Sequence, residues 1–453
     1  MTETADLQSF TVALGGIPWS MERNVVRQKS RDFFWYSPIL KDQLEGRFGD
    51  IVVTPKSEAE VLDIARLCAA HRLPLTVRGA GTGNYGQAVP LSGGVILDMS
   101  EMDVVGDVVD GVVGAGPGAK LKDIEARTRL QGWELQMYPS TRRTATIGGF
   151  VAGGSTGVGA INHGLLVDGG IAGLRVVTLE AEPRVLDLTG PDVNRVHHAY
   201  GTNGIITEVR MPLEPAQNWV EIAVEIDNFM ELARFCQAVG EDPAVVKKLV
   251  TAVDPSIPRY FRTLAASFTP GASLGLFMIA QGSLAEFSRL LAGHGGREIY
   301  RATAGEVAAR GSLPIYEYSW NHTTLQGLKI DKSITYLQTL FPAPDHLTGI
   351  EDMIALFGDE VPMHLEFVKL GGQVCCFGLQ IVRYSTPERL AEIIRIHEDR
   401  GFTIFNPHTY VLEDGGMKQT DPEQLAFKRV ADPFGLLNPG KMRGFSLEAA
   451  TAR

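Results

Sequence analysis

Three short stretches carry the side chains best able to move protons. "YEYSWNHTT" sets Tyr316, Tyr318, Trp320 and His322 at alternate positions, so as a strand it would turn them to one face. "NPHTYVLEDGG" offers His408 and Tyr410 at the same spacing, then Glu413 and Asp414. "MHLEF" adds His364 and Glu366. A histidine can take up a hydroxyl proton near neutral pH, and a phenol or carboxylate beside it can orient it or a substrate. His322, His408 and Tyr410 are therefore the candidate catalytic residues. The same spacing also suits an aromatic layer at an interface. His197 and His198 follow a helical run and are expected at the surface.

A second kind of chemistry is written in "VRGAGTGNYG", where Gly79, Gly81, Gly83 and Gly86 crowd between the apolar runs "LPLTV" and "GGVILDM". A dinucleotide turn of the Rossmann type would open a helix at this point. Here Pro90 and the pair Gly93 and Gly94 forbid one. A P-loop fails as well, because no Gly-Lys-Ser/Thr follows. What remains is a strand–loop–strand turn whose bare N–H groups can hold an anion, with Thr82 and Asn84 adding short polar side chains. Two further glycine-rich runs follow, "TATIGGFVAGGSTGVGAINHG" and "GTNGIITEVRMPL".

The elements that must position these groups are legible in outline. "SEAEVLDIARLCAAH" reads as a helix opened by a Ser57/Glu60 capping box, with Val61, Ile64, Ala65 and Cys68 as its apolar stripe. "GLRVVTLEAEPRVLDL" reads as a hairpin. After Pro215 the glycines thin out, and runs such as "LGLFMIA" and "QVCCFGLQIV" alternate with helical stretches. That pattern fits an α+β layer, an antiparallel sheet with helices on one face. "DPEQLAFKRV" reads as a late helix with Asp421 at its N-cap and Pro422 in its first turn.

The gross composition narrows the partners. The chain has 453 residues and a net charge of −11, without a basic run, which argues against nucleic acid. No apolar segment reaches the roughly 18 residues that span a bilayer. The opening "MTETADLQSF" lacks the basic-then-apolar layout of a secretory signal, so a cytoplasmic protein is expected. Cys68, Cys236, Cys375 and Cys376 show no metal-binding spacing and are expected as buried thiols, with Cys375 and Cys376 on opposite faces of a strand.

Taken together, "VRGAGTGNYG", "YPSTRRTATIGGFVAGGSTGVG", "YGTNGIITEVRMPLEP" and "DPFGLLNPGKM" resemble, in order and spacing, the four signature segments of the vanillyl-alcohol oxidase/p-cresol methylhydroxylase flavoproteins. The tail is most similar to the glycolate-oxidase/D-lactate-dehydrogenase-like branch. This resemblance implies a two-part FAD-binding domain, residues 1–213 and 406–453, around a substrate (cap) domain at 214–405. The pyrophosphate loop would be 78–86. Cofactor contacts carried over by the resemblance are Gly79, Ala80, Gly81, Thr82, Gly83, Asn84 and Gly86 in that loop. The second segment supplies Pro139, Ser140, Thr146, Gly148, Gly149, Gly153, Ser155 and Gly157. Ile206 would bond through its backbone, with Asn438 and Lys441 near the ring. His408 and Tyr410 would lie beside the flavin.

The implied activity is FAD-dependent transfer of a hydride from a C–OH carbon of a small molecule. Two other readings stay open: a 2-hydroxy-acid dehydrogenase, or a flavin-bearing electron-transfer subunit of a larger complex. Some members tether FAD through a histidine of the first loop or a cysteine of the second segment. Here Thr82 stands in the first slot, and no cysteine lies between Cys68 and Cys236. Non-covalent FAD is expected, with tethering by a cap histidine or tyrosine still open. The branch's Glu-His-Gly metal motif reads "LEDGG" here, so no metal is expected. Oxygen, a quinone or a protein remain as electron acceptors, and a homo-oligomer is allowed.

Overall fold

The computed structural model describes residues 4–154, 156–261, 267–415 and 422–445. Helix Glu58–His71 begins where Ser57 Oγ accepts from the Glu60 N–H at 3.2 Å. The reciprocal half of the box does not form. The Glu60 carboxylate instead accepts from the Lys56 N–H at 2.6 Å. The helix buries the expected Val61, Ile64, Ala65 and Cys68 against a four-stranded sheet. In that sheet Leu75–Arg78 and Val95–Asp98 run parallel, Leu75 opposite Val95. The glycine loop is thus the whole crossover between two parallel strands, a job usually given to a helix.

A second sheet is organised by the long strand Ile205–Pro215, which pairs with Val112–Ala115 on one side and Gly173–Val177 on the other. The expected hairpin is present, Gly173 facing Thr189. The sequence from Trp219 then enters an eight-stranded antiparallel sheet. Its two faces separate by simple alternation. Along Ser273–Ala280, Leu274, Leu276 and Met278 join the core shared with the N-terminal half, while Phe277 and Ile279 meet helices Phe229–Glu241 and Leu284–Gly293. On the helix side Phe235, Phe277 and Phe287 pack with ring centroids 5.1 to 5.5 Å apart. Burying each such ring contributes about 1.5–3 kcal/mol. Cys375 and Cys376 fall on opposite faces of this sheet, as alternation requires.

Two ties hold the halves in register. Lys248 of the eight-stranded sheet, 1 % exposed at its side chain, is held by the carboxylates of Glu134 and, at 2.9 Å, Glu214, and donates to the Leu135 carbonyl at 2.6 Å. The C-terminal segment returns beside Leu75, whose N–H donates to Leu436 and whose carbonyl accepts from Asn438, each at 2.8 Å. The late helix is Pro422–Ala431; its expected cap, Asp421, lies outside the described residues. No helix among the described residues is long and apolar enough to cross a membrane.

Candidate functional site

One cleft, enclosing about 1720 Å³ including its mouth, runs from the glycine loop to the eight-stranded sheet. Its first end is walled by Gly79, Ala80, Gly81, Thr82, Gly83 and Asn84. Among the described residues, the N–H groups of this stretch donate to no other group of the chain. They are therefore available to an anion. Pro139, Ser140, Thr146, Gly148, Gly149, Gly153 and Ile206 line the same cleft, Thr146 directly against Gly79. Thr146 Oγ1 is buried with no partner among the described residues, an expensive state for a hydroxyl. A Cβ on Gly79 would stand 1.9 Å from that oxygen, so glycine is required for the two walls to approach. An orphan hydroxyl facing a row of spare amides is what a bound diphosphate would satisfy, and these residues fit the group the sequence implies.

The loop is braced by charged side chains. Arg78, 7 % exposed, donates to the carbonyls of Lys29, Arg31 (2.8 Å), Gly79 (3.2 Å) and Ala80 (3.0 Å), pinning the N-terminal segment across the loop. Burial pulls its pKa down, against the raising effect of Asp98 and Asp32. Asp32 lines the cleft and accepts from the Phe34 N–H at 2.9 Å. Burial lifts its carboxyl to about 6, opposed by Lys441. Lys441 donates to the Gly86 carbonyl at 2.6 Å, and burial pushes it down to about 7 against the pull of Asp32.

The rest of the cleft is lined by Trp320, Asn321, His322, Gln338, Phe377 and Phe405. His322 Nδ1 lies 2.8 Å from Glu317 Oε2, within ion-pair reach although outside hydrogen-bond geometry. Tyr85, from the glycine loop, donates to Gln338 Oε1, and Gln338 Nε2 donates to Asn321 Oδ1 at 3.1 Å. A polar chain therefore crosses the cleft from the loop to helix Asn321–Ile330.

The sequence expectations fare unevenly. "YEYSWNHTT" is no strand but a 3₁₀ turn, Ile315–Tyr318, followed by helix Asn321–Ile330. His322 reaches the cleft by heading a helix. His408 is not on the cleft wall. Its Nδ1 accepts from the Ser37 hydroxyl at 2.8 Å and its Nε2 donates to the Tyr336 carbonyl at 2.9 Å, so both ring nitrogens are committed to joining three segments. Tyr410 packs half-buried with Lys441 Nζ 4.9 Å above its ring, also off the wall. Lys441 and Asn438 brace the loop from behind; Asn438 Nδ2 donates to the carbonyls of Gln87 (2.8 Å) and Tyr200 (2.6 Å). Gly86, whose carbonyl takes Lys441, lies off the wall too. Gly157 is glycine for packing, since a Cβ would meet the Tyr138 carbonyl at 2.2 Å. Ser155 lies outside the described residues. His197 and His198 are buried, not at the surface, His198 packing onto the bare Cα of Gly154. Asp32, Gln338, Phe377 and Phe405 were missed; nothing local marks them, whereas Tyr85 sits inside the glycine motif.

The family model described as FAD binding domain matches residues 49–187, which hold the glycine loop and Thr146. The chain carries an FAD-binding domain. Over 175 residues this flavin-binding chain is 29% identical to the glycolate oxidase subunit GlcD of Bacillus subtilis (strain 168), covering 37% of each protein. Over 181 residues it is 30% identical to a D-lactate dehydrogenase of Anaerostipes hadrus, again 37% of each. The match thus spans well under half the length of these relatives. Two solved structures share its fold across 97% of the chain: an alkyldihydroxyacetonephosphate synthase (TM-score 0.73, 14% identity, 86% of that chain) and the 4-ethylphenol oxidase of Gulosibacter chungangensis (TM-score 0.70, 15% identity, 97% of that chain).

Proposed function

We propose that this flavoprotein is an FAD-dependent oxidoreductase that takes a hydride from the C–OH carbon of a small organic molecule. The observation that carries the reading is the unbroken cleft, with spare amides at one end and His322, Asn321 and Gln338 at the other. Gly79 to Asn84, Ser140 and Thr146 would hold the cofactor's diphosphate, and Ile206 the stretch beyond it. Bound FAD supplies a two-electron acceptor. The chain's own residues do the rest. With Glu317 Oε2 2.8 Å from its Nδ1, His322 keeps Nε2 to receive the hydroxyl proton. Asn321, fixed by Gln338, would hold a substrate oxygen in line. Trp320, Phe377 and Phe405 exclude water around the reacting carbon. His408 serves to join Ser37, Tyr336 and the C-terminal segment.

We further propose non-covalent FAD and a cytoplasmic setting; four free, buried thiols agree with a reducing compartment. A 2-hydroxy acid is the second reading, favoured by the relatives named glycolate oxidase and D-lactate dehydrogenase. The test is anaerobic bleaching of the bound flavin against hydroxy acids, benzylic alcohols, sugars and amines. Bleaching by one class of alcohol is expected, and a flavin left oxidised by all of them would refute the reading.

A further inference from the structure

The pair in "MHLEF" sits just behind the cleft wall and takes no part in the function proposed above. Its meaning comes from Trp320, whose φ of +50° and ψ of −145° lie in a region that residues with a Cβ strongly avoid. Such strain persists only where the surroundings over-determine it, and it collects at working sites.

Glu366 supplies the restraint. Its Oε1 accepts the Trp320 N–H at 2.6 Å and His364 Nε2–H at 2.7 Å, while Oε2 accepts the Thr251 hydroxyl at 2.7 Å. The residue is 1 % exposed, so the carboxylate has no solvent partner to turn toward. It stands opposite Phe377 across the ladder, on the sheet face that looks toward the cleft. The Trp320 and Phe377 rings lie 6.3 Å apart, and both line the cleft. The first helical residues after the strained one are Asn321 and His322. The backbone angles of Trp320 therefore set where these two side chains arrive.

We propose that Glu366 is a positioning residue for the oxidation: by holding Trp320 in its left-handed conformation, it aims Asn321 and His322 into the cleft. This rests on reading the cleft as an oxidoreductase site. A glycine at 320 would adopt the same angles unaided, which separates positioning from ordinary core packing.

The test is a double-mutant cycle in FAD-loaded full-length protein: Glu366→Ala and Glu366→Gln, each made with Trp320 and with Trp320→Gly. Anaerobic flavin reduction by the most reactive panel compound should fall about tenfold for Glu366→Ala and about threefold for Glu366→Gln when Trp320 is present. With Trp320→Gly in place both losses should shrink below about twofold. Equal losses in the two backgrounds would overturn the proposal, and the isosteric glutamine pair decides alone if the alanine protein does not fold. The visible circular dichroism of bound flavin needs no substrate. It should change in the Glu366 variants carrying Trp320 and hold steady in those carrying Trp320→Gly; the same response in both would also overturn the proposal. If no compound bleaches wild-type protein, the oxidoreductase reading fails while the dichroism still judges Glu366.

Discussion

His408 offers a sharp test of the account, because its ring is assigned to joining segments and not to chemistry. Its Nδ1 accepts from Ser37, and the Ser37 oxygen in turn accepts from the Leu40 N–H at 3.1 Å. Protonating Nδ1 would bury a charge and turn the Ser37 hydroxyl hydrogen away from its acceptor in a site closed to water. Burial accordingly pushes the ring from its ordinary 6.5 down to about 4, partly offset by the bond to the Tyr336 carbonyl. Between those values the unfolded chain binds a proton that the folded chain refuses. The stability is therefore whole above 6.5 and is lost as pH falls toward 4. At pH 4.5 the loss from this one group is about 2–3 kcal/mol. His408→Gln keeps a donor toward Tyr336 but does not titrate. Urea unfolding of both proteins, FAD-loaded, at pH 7.5 and 4.5 isolates the effect from all other titrating groups. Wild type should lead at pH 7.5, and its lead should shrink by about 2–3 kcal/mol at pH 4.5. A lead unchanged between the two pH values would refute the reasoning.

Other outcomes bear on the cleft. Gly79→Ala should abolish or greatly weaken FAD retention, because its Cβ would stand 1.9 Å from Thr146 Oγ1; unchanged flavin content after gel filtration would contradict this. Thr146→Val should weaken FAD by about tenfold in a fluorescence titration, from one lost hydrogen bond to a charged group. His322→Gln should retain FAD yet slow anaerobic bleaching about a hundredfold or more, and an unaltered rate would remove it as proton acceptor. Acid precipitation should release the yellow colour into the supernatant, whereas colour in the pellet would reveal a covalent link.

What the sequence made legible was what short-range physics dictates. The glycine loop could be told from a Rossmann turn because Pro90, Gly93 and Gly94 forbid a helix, and the structure has none there. Period-two alternation placed Cys375 and Cys376 on opposite faces. The stretch around Trp320 misled for a physical reason. Alternating aromatic residues imitate a strand, but the chain makes a turn and a helix there, with the Trp320 N–H held at their junction by Glu366, distant in sequence. His408, expected beside the flavin, stands off the cleft wall for a similar reason. Its partners Ser37 and Tyr336 come from other segments, and no local pattern announces that both its nitrogens are taken. Asp32 and Gln338 reach the cleft only through tertiary packing.

The central claim is that the amides of Gly79 to Asn84 cradle the cofactor's diphosphate. A crystal structure of the FAD-loaded protein tests it most directly. The account predicts diphosphate oxygens within hydrogen-bond distance of several of those N–H groups and of Thr146 Oγ1, with the flavin ring beside His322. Density placing the diphosphate elsewhere, with that row of amides turned to solvent, would contradict it.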